Sequence, residues 1–142
     1  DEKFSQFSGW VTWYPLSNLS LYITPRVYFK NSSNNPFSFN TFGLSGGAQL
    51  GPLHVYGQYL KGDMENFIEA SGFVIANFPG TSGEKFTGSL YIPAGKNLQF
   101  VVRYITQDIT ETYRVYTNGE VSNSLDYNYL KHTLTAGISW SF

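Results

Sequence analysis

Apolar residues recur at every second position along most of this chain, the period of a β-strand with one apolar face. The clearest stretch sets Leu19, Leu21, Ile23, Pro25, Val27 and Phe29 against Ser20, Tyr22, Thr24, Arg26, Tyr28 and Lys30. No segment keeps the i, i+3, i+4, i+7 stripe of a helix. Read this way, the chain predicts seven strands: Phe4–Tyr14, Leu19–Lys30, Phe39–Leu50, Leu53–Lys61, Lys85–Ile92, one from Leu98 that reaches as far as Tyr116, and Tyr129–Phe142. In the last of these, Leu130, His132, Leu134, Ala136, Ile138, Trp140 and Phe142 alternate with Lys131, Thr133, Thr135, Gly137, Ser139 and Ser141. Pro25 has no N–H to give to a ladder, so a bulge or a lost bond is expected there.

The connections alternate between tight and long. Residues 15–18, 51–52 and 94–97 make short turns, whereas 31–38, 62–84 and 117–128 are long and rich in Asn, Ser and Gly. A soluble sandwich or barrel also alternates, so the chemistry of the second face has to decide between classes. Here the face opposite the aliphatic one holds Ser, Thr, Gly, Tyr and isolated Arg, with few charges in the middle of any strand. Charged residues make up 13% of the chain and aromatics 18%, against about 25% charged in an average soluble domain. Hydrophobic residues reach only 42%, and the longest apolar runs, such as 73–76, fall far short of a membrane-spanning helix. These features predict an all-β chain forming a transmembrane antiparallel β-barrel, one domain over residues 1–142. Inside hydrocarbon such a sheet has to close, because each unpaired backbone group at an open edge costs several kcal/mol.

Aromatics fall where interfacial girdles belong, with Trp13, Tyr14, Trp140 and Phe142 beside the short turns and Tyr28, Phe29, Tyr59, Phe86 and Tyr129 towards the long loops. A net charge of −1 and the lack of any Lys/Arg cluster exclude a nucleic-acid footprint. Cysteine is absent, which removes disulfides and thiolate metal sites. No secretory leader pattern opens the chain, so Asp1 reads as a processed or truncated start.

The segment Thr135-Ala-Gly137-Ile-Ser-Trp140-Ser-Phe142 resembles the terminal β-signal of Gram-negative outer-membrane proteins: a polar residue, a glycine two later, and hydrophobic or aromatic residues third-last and last. The resemblance implies location in the bacterial outer membrane, contact with its lipid and lipopolysaccharide, and recognition of Thr135, Gly137, Trp140 and Phe142 by the barrel-assembly machinery. Seven strands is then an odd number, while single-chain bacterial barrels are even. The chain therefore reads as the C-terminal part of a larger barrel, completed by additional strands or another envelope protein. A miscount within FIEASGFVIANF, 67–78, is the alternative.

Candidate functional residues follow from the strand faces. Tyr22, Arg26, Tyr28, Lys30, Tyr56, Tyr91 and Arg103 share the inward parity and would line a lumen, either as a pore or as a tyrosine plug. Phe67, Ile68, Phe73, Val74, Ile75 and Phe78 put too many apolar residues in the longest loop for free solvation, so that loop reads as a lid or partner surface. Asp63, Glu65 and Glu69 could hold a divalent cation through carboxylate oxygens, although such a run is more often a solvated loop. His132 invites comparison with outer-membrane enzymes, yet it shares the lipid-facing parity of Leu130 and Leu134, and no Ser with Asp or Glu is suitably spaced. His54 reads as a structural hydrogen-bonding residue. Two distant histidines make no metal site, and no cofactor motif is present. The function expected is a non-enzymatic barrel acting as pore, plugged scaffold or subunit of a transport assembly. The rivals are an enzyme acting on lipid A or peptides at the outer rim and a soluble ligand-binding β-protein.

Overall fold

The structure, a computed structural model, describes residues 4–32, 40–62, 64, 67–69, 74–76, 82–117 and 120–140. Its strands are β1 (Phe4–Trp10), β2 (Leu21–Ser32), β3 (Asn40–Leu50), β4 (Leu53–Lys61), β5 (Phe67–Glu69), β6 (Val74–Ala76), β7 (Glu84–Pro93), β8 (Leu98–Thr117) and β9 (Glu120–Trp140). Seven of them form one antiparallel sheet in the order β1-β2-β3-β4-β7-β8-β9, and β5 and β6 pair only with each other. Within 67–78 the described residues thus form a two-stranded sheet of their own rather than an eighth strand of the large one. The sheet does not close: β1 and β9 are its edges, so the closure expected of a membrane sheet is not supplied by these strands.

Pro25 shows how one residue shapes an edge. Trp13 and Ile23 exchange both backbone bonds, at 2.9 and 3.0 Å. Two residues along, Val11 N donates to Pro25 O at 3.3 Å, but the return bond has no N–H to make it. The expected bond is lost without a bulge, because Trp10 pairs Arg26 and Trp13 pairs Ile23 in one continuous register. This is why β1 ends at Trp10 and survives beyond it only as that isolated bridge.

The tight turns are built on positive φ. Gly51, at φ +61, and Pro52 alone separate the paired Leu50 and Leu53, and Gly95, at φ +106, lies in the turn closed by Ala94 N donating to Leu98 O at 2.8 Å. Glycine takes such angles without the Cβ clash other residues meet.

The third long connection needs correction. β8 and β9 continue to Thr117 and from Glu120, with one register irregularity at Val115/Tyr116, so the expected loop at 117–128 is mostly strand. At about 3.3 Å per residue, a strand of the 20 residues of β8 runs about 66 Å, more than twice the roughly 30 Å of hydrocarbon in a bilayer. Polar cross-strand pairs hold the outer part: Thr110 donates to Asn128 and Thr112 to Asp126, both at 2.7 Å. Residues that signal a loop when read singly become a ladder once each has a partner opposite.

Exposure separates the two faces. Thr24, Thr41, Ser45, Ser89 and Gln107 are buried on one, while Leu44, Leu134 and Ile138 on the other are 52%, 73% and 68% exposed. Small polar side chains converge and large apolar ones splay outward, as in a sheet curled around its polar side. A row of glycines crosses the apolar face, Gly46 opposite Gly57 and Gly57 opposite Gly88. A Cβ on Gly46 would sit 2.8 Å from the Tyr22 carbonyl oxygen, whereas one on Gly57 would meet nothing within 4 Å. Gly46→Ala is therefore expected to destabilise by about 1 to 3 kcal/mol, because backbone must move. Gly57→Ala should be close to neutral, and chemical denaturation midpoints of the two variants check the contrast.

Candidate functional site

Tyr22, Arg26, Tyr28 and Lys30 lie at alternate positions of β2, and the registers carry their face across the sheet. Tyr22 opposes Gly47, which opposes Tyr56, then Ser89, then Arg103. Tyr91 lies beside His54 on the same face. All seven residues singled out as inward thus share one face. Lys85 and Lys131 belong to it as well, and sequence reasoning missed them; counting parity along their strands would have found them.

Several side chains on this face are hydrogen-bonded. Thr12 and Thr24 share a hydroxyl hydrogen bond of 3.0 Å, Ser45 Oγ donates to Thr24 O at 3.4 Å, and Arg103 Nε donates to Ser89 Oγ at 3.2 Å. Tyr28 packs with Leu60 and Met64 in a buried cluster. Tyr28 therefore does not join the girdle towards the long loops, and Tyr129, opposite Ile109 on the same face, does not either. Near the short turns a cavity of about 420 Å³ opens among Tyr22, Gln49, His54, Tyr56, Tyr91 and Gln99. These tyrosines line space there rather than fill it. No Lys, Arg, Asp or Glu lines the cavity.

On the opposite face, the stretch from Leu53 to Tyr59 and its neighbours from Phe86 to Ile92 present only apolar, aromatic or glycine positions. Charge returns at the long-loop end, where Lys61 and Glu84 pair at 2.8 Å. Asp108 accepts from Ser82 Oγ at 3.4 Å and from Glu84 N. These bonds tie the stem of the β5–β6 hairpin to β8, and the stem itself is laced by Gly62 N to Gly83 O at 2.8 Å and Met64 N to Ser82 O at 3.1 Å. Within the proposed lid, Phe67 and Ile68 belong to β5 and Val74 and Ile75 to β6, while Phe73 and Phe78 lie outside the described residues. So do Asp63 and Glu65 of the acidic stretch, and among the described residues no group of three potential metal ligands occurs.

His132 is on the apolar face opposite Thr106, where its Nδ1 shares a 2.7 Å hydrogen bond with the Tyr104 hydroxyl and its ring stacks at 6.0 Å. No serine or carboxylate joins it among the described hydrogen bonds, and the pair has the chemistry of an amphipathic interface. Of the residues compared with a β-signal, Thr135 and Gly137 oppose Arg103 and Val101, Trp140 opposes Leu98 and is 66% exposed, and Phe142 lies outside the described residues.

Beyond Ile109 the long hairpin exchanges the character of its faces. The continuation of the apolar face becomes Thr110, Thr112 and Arg114 opposite Asn128, Asp126 and Ser124. The continuation of the polar face becomes Glu111, Tyr113 and Val115, with Tyr127 and Leu125 alongside. Tyr129 and Tyr113 each donate a 2.7 Å hydrogen bond to the Glu111 carboxylate, and those bonds, Tyr129's first, hold its pKa below the usual glutamate value.

No family model matches the chain, and neither curated proteins nor solved structures give a significant match.

Proposed function

We propose that this chain forms part of the wall of a bacterial outer-membrane β-barrel that works as a pore. The observation that carries this reading is the continuous, charge-free apolar band exposed on all seven strands, set against an opposite face on which Thr24, Thr41, Ser45, Ser89 and Gln107 are buried. In water such an exterior is an aggregation liability; in lipid it is the required exterior. The polarity exchange near Ile109 fits a hairpin leaving the hydrocarbon, since its outward side turns to Thr, Asn and Asp at that height.

Closure constrains what completes the barrel. Neighbouring strands are antiparallel throughout, so in a sheet of seven the edges β1 and β9 run in the same direction. Joined directly, or to a second copy in the same membrane orientation, they would meet in a parallel seam. An odd number of further strands lets both seams be antiparallel and satisfies both rows of edge donors and acceptors. Those strands come from another part of the same polypeptide or from an envelope partner.

The choice of pore over plugged scaffold rests on the open cavity among Tyr22, Tyr56 and Tyr91. Reconstitution of the assembly purified from membranes into a planar bilayer should give stepwise single-channel currents. An assembly that inserts and passes no current would overturn the pore reading while leaving the barrel standing.

A further inference from the structure

Up to Ile109, the described positions of the polar face carry charge of one sign. From the short turns up to Ile109 its described positions include Arg26, Lys30, Lys85, Arg103 and Lys131, and no Asp or Glu. Among the described residues, the nearby carboxylates are excluded by parity. Glu84 and Asp108 occupy positions of the apolar face, and the first acid on the polar parity, Glu111, lies beyond the point where the faces exchange character. Three of the cations fall on a single cross-strand row, which runs Arg26, Gly43, Leu60, Lys85, Gln107, Lys131. The other two lie four residues from that row along their strands, Lys30 towards the long loops and Arg103 towards the short turns. The cations therefore extend along the face.

A second, independent observation concerns Arg26 itself. Its Nε is buried and has no hydrogen-bond acceptor among the described residues. A guanidinium stays charged at any physiological pH, and its donors are placed to grip oxyanions. A buried donor without an acceptor is expensive, so a positively charged wall with an unfilled donor calls for an anion to visit it. Walls of low dielectric lined by one sign of charge focus the field and concentrate counter-ions, and Lys/Arg linings are the usual device of anion-conducting pores.

We infer that the polar face is an anion pathway, on which the row of Arg26, Lys85 and Lys131 attracts small inorganic or carboxylate anions and repels cations. This rests on the pore reading above. The native assembly, in a planar bilayer under a KCl gradient, should give a reversal potential of the sign that reports chloride permeating faster than potassium. Lys85→Gln alone should shift it towards potassium, and Lys85→Gln with Lys131→Gln should shift it further. Arg26→Lys, which keeps the charge, should leave the sign unchanged. Currents without chloride preference, or a preference that the Gln variants leave untouched, would overturn the inference and spare the pore. Absence of any current from inserted native protein would overturn both.

Discussion

Arginine in place of Leu134 or Val102 is expected to cost about 2 to 4 kcal/mol of stability in lipid, the range for a cation on the outer face of a membrane barrel near the bilayer midplane. Leu134 is 73% exposed on the apolar face of β9, opposite Tyr104. Val102 is on the same face of β8, opposite Ala136. In hydrocarbon a guanidinium there loses its hydration and finds no acid, because the surrounding positions are apolar. Thr133→Arg is the matched control, since Thr133 is on the polar face opposite the uncharged Ile105, and it should leave stability little changed. Denaturant unfolding from lipid vesicles measures all three. Equal costs on both faces would sink the assignment of the apolar face to lipid, and a soluble sheet would show no such penalty for an exposed arginine.

Loss of the terminal aromatic should have a larger effect in cells than in vitro. Phe142→Asp, or deletion of Phe142, is expected to abolish surface assembly, because the residue completes the pattern begun at Thr135 and Gly137. The same variant should still refold in detergent, where no assembly machinery reads a signal. Protease accessibility on whole cells, compared with gel mobility of the refolded protein, separates the two effects. Normal surface assembly of the variant would remove the signal from the argument.

Much of the fold was legible because strand period is a local property. Leu19 to Lys30 and Leu53 to Lys61 alternate so strictly that the structure places these strands within two residues of the reading. The tight turns were legible for a related reason, since Gly51-Pro52 and Gly95 mark the points where strands reverse. The outer half of the β8–β9 hairpin was not legible. Ser122, Asn123, Ser124, Asp126 and Asn128 are turn formers when taken singly, and only Thr110, Thr112 and their neighbours opposite make them a strand. The early end of β1 was half legible: Pro25 announced a missing donor, but the strand that would feel the loss was fixed only by pairing.

The sequence by itself determined that the chain is all-β, which residues share a face, and that the aliphatic face lacks charge, because each depends on neighbours one or two positions apart. Tertiary structure alone decided the rest. It set β5 and β6 apart from the seven-stranded sheet, left β1 and β9 as unjoined edges, and brought Arg26, Lys85 and Lys131 onto one row. Those three lie far apart in the chain, and no local pattern relates them. Their row exists because the register of each strand pair is set by the turn or ladder that joins it, and register accumulates across β2, β3, β4, β7, β8 and β9.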